Sequence, residues 1–84
     1  METTMSKGLS PYVELCAVVG LNPRQMEPMD IYLMGGNIIH DKTLTQRSLK
    51  YLEGGILPAD ARLRALSDMK VEEVSALRRR VLNR

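Results

Sequence analysis

Apolar residues recur along most of the chain at the three- and four-residue steps of an α-helix, and the interruptions fall at Gly and Pro. Residues 1–9, with few large apolar groups, predict an arm outside the packed domain. Ser10 is placed to cap a first helix, Pro11 suits its first position, and Val13, Leu15, Cys16 and Val19 form its apolar stripe. Gly20 predicts a left-handed stop. Asn22-Pro23-Arg24-Gln25 then opens a second helix, with Asn22 as cap and Gln25 at the capping-box position. Pro28 predicts a kink or a restart there, with Met26, Met29 and Leu33 on one face.

Two readings remain open for residues 31–40. The favoured one ends the helix at Met34, before Gly35-Gly36. The other is a short β-hairpin turning on that glycine pair. Downstream, Thr43 and Gln46 have capping-box spacing and predict a helix to Glu53, stopped by Gly54-Gly55. Leu44, Leu49 and Leu52 point one way, and Thr43, Gln46, Arg47 and Lys50 form a polar face. Pro58 opens a fourth helix carrying Ala61, Leu63 and Leu66. Ser67 is expected to cap a fifth, residues 68–83, whose stripe is Val71, Val74, Leu77 and Val81. The expected fold is all-α: a compact five-helix domain over residues 10–84.

Composition narrows this picture. With 84 residues there is room for one small core, and with three Tyr and no Phe or Trp that core is built from aliphatic residues, Ala and Met. The net charge of +2 conceals an uneven distribution. Residues 1–40 carry two Lys/Arg against four Asp/Glu, whereas residues 41–84 carry ten against six, an asymmetry that hints at an anionic partner. The single cysteine excludes an internal disulfide, and no apolar run approaches the roughly 20 residues of a membrane span. The Met-Glu-Thr-Thr-Met start has neither the basic nor the apolar region of a secretory signal, so the cytoplasm is expected.

Catalysis requires convergent groups, and one His, one Cys and scattered carboxylates do not supply them, so no enzyme and no cofactor is expected. His40 beside Asp41 has the order of a base with its orienting acid, but a lone loop histidine is more commonly solvated or structural. Cys16 lies in an apolar stripe and reads as core. Cys16 and His40 lack the further ligands that zinc needs, so no metal site is expected. Arg78-Arg79-Arg80 invites a phosphate-binding reading. The last turns of a helix also favour basic residues for their dipole, which accounts for the same run.

The run Arg47-Ser48-Leu49-Lys50-Tyr51-Leu52-Glu53-Gly54-Gly55, followed by Pro58 and a Leu-spaced helix, resembles the recognition helix and following loop of Cro/phage-repressor-like (Xre-type) helix-turn-helix regulators. Val18-Val19-Gly20-Leu21-Asn22-Pro23-Arg24-Gln25 resembles the end of helix 1 and the start of helix 2 in that family. The resemblance covers roughly residues 11–67 and places Asn37 to Lys42 between the two helices of the motif. It implies a small sequence-specific DNA-binding regulator, a repressor of phage or mobile-element type on a palindromic operator.

On that resemblance Thr43, Thr45, Gln46, Arg47 and Lys50 face base edges in the major groove, Gln46 suiting adenine and Arg47 guanine. Lys42, and Asn22, Arg24 and Gln25 at the amino end of helix 2, meet the DNA there, chiefly at phosphates. The bland reading of the same face is a solvated helix surface. One small module on one half-site implies a homodimer, with Val71, Val74, Leu77 and Val81 as the expected interface, although packing on the chain's own core accounts equally for that stripe. The competing function is a protein-binding antagonist or adaptor, such as a phage antirepressor acting on a second regulatory protein, motivated by Met26, Met29 and Met34 near Tyr32.

Overall fold

The computed structural model describes residues 10–83; the expected arm over 1–9, the Ser10 side chain and Arg84 lie outside the described residues. Five α-helices follow one another: α1 (Ser10–Val18), α2 (Pro28–Ile39), α3 (Lys42–Glu53), α4 (Pro58–Ser67) and α5 (Val71–Leu82), with a 3-10 turn at Pro23–Gln25. The fold is all-α, and the described residues contain no strand. None of these helices is long and apolar enough to cross a membrane.

Two glycines in left-handed backbone set the helix ends. After α1, Gly20 has φ 95°, and the Leu21 amide donates to the Cys16 carbonyl at 2.9 Å. After α3, Gly55 has φ 90°, and the Ile56 amide donates to the Tyr51 carbonyl at 3.0 Å. The Gly20 and Gly55 amides donate in turn to the Ala17 and Leu52 carbonyls at 3.1 and 3.0 Å, so both ends are Schellman closures, which satisfy carbonyls that the helix leaves without partners. Of Gly54 and Gly55, the second is the stop.

Asn22 caps as expected, its Oδ1 accepting from the Arg24 amide at 3.2 Å, but only one 3-10 turn follows. Proline disfavours helical backbone in the residue before it, and Glu27 is accordingly extended, at φ −73° and ψ 153°. The helix therefore restarts at Pro28, the second of the two alternatives expected there. It then runs through Gly35-Gly36 to Ile39, so neither a stop at Met34 nor a hairpin over 31–40 forms, and Asn37–Ile39 is the last turn of α2 rather than a linker. Gly35 is a contact, not a turn. A Cβ there would lie 2.7 Å from the Tyr12 Cβ, so the missing side chain lets α1 lie against α2. Tyr12 and Tyr32 meet beside it, ring centroids 4.8 Å apart.

The core is formed by Leu15, Cys16 and Val19 of α1, Ile31 and Ile38 of α2, Leu44 of α3, Ala65 and Leu66 of α4, and Leu77 and Val81 of α5. Removing the side chain of a fully buried leucine such as Leu77 typically costs about 2–5 kcal/mol. Met29 and Leu33 of α2 lie outward, 66% and 57% exposed, and Ile31, Gly35 and Ile38 face in. Leu49 is also partly exposed, while Leu44 is buried.

Capping differs from expectation at two helices. Asp41, not Thr43, caps α3: its Oδ1 accepts from the Leu44 amide at 3.0 Å. A carboxylate is a stronger acceptor than a hydroxyl, and Asp41 is also held by Arg80. Ser67 belongs to the last turn of α4, its hydroxyl donating to the Arg64 carbonyl, so α5 starts at Val71 rather than at 68. Glu73 closes that start by accepting from the Lys70 amide at 2.9 Å.

Candidate functional site

The outer surface of α3 exposes Lys42, Thr43, Gln46, Arg47 and Lys50 on one broad polar face. Its inner side is anchored by apolar and polar ties together. Leu44 and Ser48 are fully buried, and the Ser48 hydroxyl donates to the Thr45 carbonyl at 2.9 Å. α3 packs most extensively on α4.

Thr45 is turned away from the outer face. Its hydroxyl donates to the Ile39 carbonyl at 3.2 Å and accepts from Arg62 Nη2 at 3.0 Å. Thr45 therefore drops out of the base-reading set, because both sides of its hydroxyl are engaged inside the fold. Arg62 is only 6% exposed, and its Nε donates to the same Ile39 carbonyl at 3.1 Å. The C-terminal end of α2, with its partial negative charge, thus receives a buried cation. Burial pushes the Arg62 guanidinium down from its ordinary pKa, but an arginine remains charged in proteins.

The start of α3 is fastened to α5. Arg80 Nε and Nη2 reach the two oxygens of Asp41 at 2.9 and 3.0 Å, a bidentate pair. Burial alone would push the Asp41 carboxyl up, yet the Arg80 guanidinium and the Leu44 and Thr43 amides outweigh it and hold the group below its ordinary value. Both carboxylate oxygens are engaged by Arg80 and the start of α3, and among the described residues no hydrogen bond joins the exposed His40 side chain to Asp41. Lys42 and Thr43 border a small open groove of about 270 Å³ with Asp41 and Arg80.

The two cations in the middle of the face have acidic neighbours. Arg47 Nη2 pairs with Glu73 Oε2 of α5. Lys50 Nζ lies 3.9 Å from Asp68 Oδ2 and 5.1 Å from the centre of the Tyr51 ring, while the Tyr51 hydroxyl donates to the same Asp68 oxygen at 2.5 Å. That hydrogen bond raises the Tyr51 pKa. Gln46, Arg47, Leu49, Lys50, Glu53, Ala65 and Asp68 line an open depression of about 430 Å³.

The second expected cluster is placed differently. Asn22, Arg24 and Gln25 are exposed on the 3-10 turn, and Gln25 shares a groove with α2 and with Leu82 of α5, not with the α3 face. The long helix behind them begins after Glu27 and carries Asp30 in its first turn. Carboxylates at a helix amino end disfavour phosphate there, so α2 itself favours no anion, and Asn22, Arg24 and Gln25 stand on the 3-10 turn ahead of it.

The expected dimer seam is likewise divided. Leu77 and Val81 are fully buried in the chain's own core and Val74 packs against it, which leaves Val71, 81% exposed, as the free member. The arginine run has internal work to do: Arg78 Nη1 donates to the Val19 carbonyl at 3.1 Å, over the end of α1, and Arg80 holds Asp41. Glu73, Asp68 and Arg62 were not singled out from the sequence, and Asp41 was singled out only as a neighbour of His40, not as a cap. Glu73 had a readable signal, a glutamate at the third position of α5, hidden by the misplaced start at 68.

No protein-family model, curated protein or solved structure matches the chain.

Proposed function

We propose that this protein is a small sequence-specific DNA-binding regulator of transcription, a repressor of phage or mobile-element type, that reads the major groove with the outer face of α3. The observation that carries the reading is the exposure of Gln46 and Arg47 together, on a helix whose other side is fastened by Leu44, Ser48 and the Thr45–Arg62 bonds. Major-groove readout requires long planar donors and acceptors projecting from a helix held in fixed orientation, and Gln and Arg suit adenine and guanine respectively. Lys42 and Lys50 flank them and provide phosphate-neutralising charge. The resemblance to Xre-type regulators supports the same reading, with Gly55 as the stop after the recognition helix.

The repressor acts on a palindromic operator as a homodimer, because a single half-site buries little surface. Since Leu77 and Val81 are internal, the second copy docks through other residues. Selection from a random duplex pool at low salt tests the reading. It predicts an enriched motif and an affinity that falls steeply with added salt; no motif and no salt dependence overturn it.

A second reading, a protein-binding antagonist, is favoured by one observation. Leu21, Met26, Leu33, Met34 and Leu82 line an open groove of about 380 Å³, and Met29 of α2 is also exposed. Adaptable Met-rich surfaces suit protein partners. The helical state of 31–40 removes the strand edge that such a partner would otherwise extend. A stable complex with a regulatory protein in the absence of DNA, combined with no enriched duplex, is the result that this reading predicts.

A further inference from the structure

On the reading of α3 as the DNA-contacting helix, we propose that Glu73 is a specificity-determining residue that orients the Arg47 guanidinium for one base pair. Glu73 is itself held: Oε1 accepts from the Lys70 amide at 2.9 Å, and Oε2 pairs with Arg47 Nη2. Its position at the third residue of α5 fixes the carboxylate to the backbone, so the arginine tip is tied to a rigid helix start rather than to another mobile side chain. An unheld arginine loses rotamer freedom when it is immobilised on a base. A guanidinium already oriented by the fold has less freedom to lose. The pair engages Nη2, and a guanidinium has five N–H donors in a planar fork, so an edge remains for the two acceptors of a guanine.

Lys50 marks the contrast. Its ammonium is 3.9 Å from Asp68, a looser approach, and an ammonium carries no plane to orient. Asp68 is engaged at closer range by the Tyr51 hydroxyl. Glu73 also adds a negative charge next to the proposed DNA-contacting face, so its removal is expected to raise affinity for DNA of any sequence while it lowers discrimination at the base pair that Arg47 reads. These opposite changes distinguish orientation from simple repulsion and from a structural role.

The test measures binding of the enriched duplex, its single-base variants and an unrelated duplex to the wild-type protein and to Arg47→Ala, Arg47→Lys and Glu73→Gln. Arg47→Ala identifies the base pair by loss of preference there. Glu73→Gln is expected to reduce preference at that same pair about tenfold, within the range of a good bidentate contact. It is also expected to tighten binding to the unrelated duplex. Arg47→Lys, which keeps the charge and leaves α5 intact, should lose the same preference without changing the salt dependence. Equal tightening of Glu73→Gln on every duplex, or equal weakening on every duplex with a lowered melting temperature, overturns the assignment. A wild-type preference that Glu73→Gln retains overturns this inference alone; absence of any wild-type preference overturns the DNA reading with it.

Discussion

The α3–α4 half and the α1–α2 half of the molecule are held together by different means. Around α3, directional bonds cross between elements: Arg62 to Ile39 and Thr45, Arg80 to Asp41, and Arg47 to Glu73. Between α1 and α2 the contact is chiefly steric and apolar, the Tyr12 ring seated where Gly35 has no side chain and Ile31 in one buried cluster with Leu15, Cys16 and Val19. Among the described residues the one bond that crosses is a weak one from the Cys16 thiol to the Ile31 carbonyl at 3.9 Å. Directional bonds specify orientation, whereas apolar packing is more tolerant of small shifts. The half with the polar ties presents the polar face. The other half presents Met29, Leu33 and the apolar groove.

The largest effect is expected at the polar centre. Arg62→Ala removes the buried guanidinium and its packed stem, and should lower unfolding free energy in denaturant titration by about 3 kcal/mol. A loss below about 0.5 kcal/mol would mean that apolar contacts alone hold this half too.

Next comes Asp41→Ala, which loses both the cap of α3 and the Arg80 pair and should cost about 2 kcal/mol. The same group sets an acid limb. Its folded pKa lies below its ordinary, unfolded value, so its contribution is complete above that ordinary value and disappears as pH falls through the lowered one. Denaturant midpoints of wild type and Asp41→Ala should accordingly converge on acidification. A gap that stays constant with pH contradicts the ion-pair account.

The α1–α2 half is probed by its glycine pair. Gly35→Ala drives a methyl into Tyr12, where the Cβ and ring root cannot swing aside, and should destabilise by about 1–2 kcal/mol despite the better helix propensity. Gly36→Ala meets nothing within 4 Å and should stabilise by about 0.5–1 kcal/mol, the smallest effect of the set. Melting temperatures moving the same way for both variants would refute the seating of Tyr12.

How far the chain order revealed this division follows from the range of each interaction. Gly20 and a stop at Gly54-Gly55 were readable because a left-handed stop is a local matter, and an interruption at Pro28 because proline acts on its immediate neighbours. Gly35-Gly36 was misleading: a glycine pair usually signals a turn, and nothing local shows that a tyrosine more than twenty residues earlier rests on it. Thr43 and Ser67 had cap chemistry, but Asp41 was the stronger acceptor and Ser67 bonded backward within its own helix. The exposed members of the α3 face followed from helical spacing. Thr45 did not, because its partner Arg62 is 17 residues away, and the pairing of Arg47 with Glu73 spans 26. Likewise, the stripe of α5 was visible, while only the packed chain shows that Leu77 and Val81 fill its own core.

The two halves make opposing claims about where a partner binds, and amide chemical-shift mapping during titration with the enriched duplex separates them most directly. Binding through α3 should give shifts concentrated along Lys42–Lys50, with Met29, Leu33 and Leu82 undisturbed and the shifts reversed by added salt. Shifts confined to Met29, Leu33 and Leu82, or none at any duplex concentration, would contradict it.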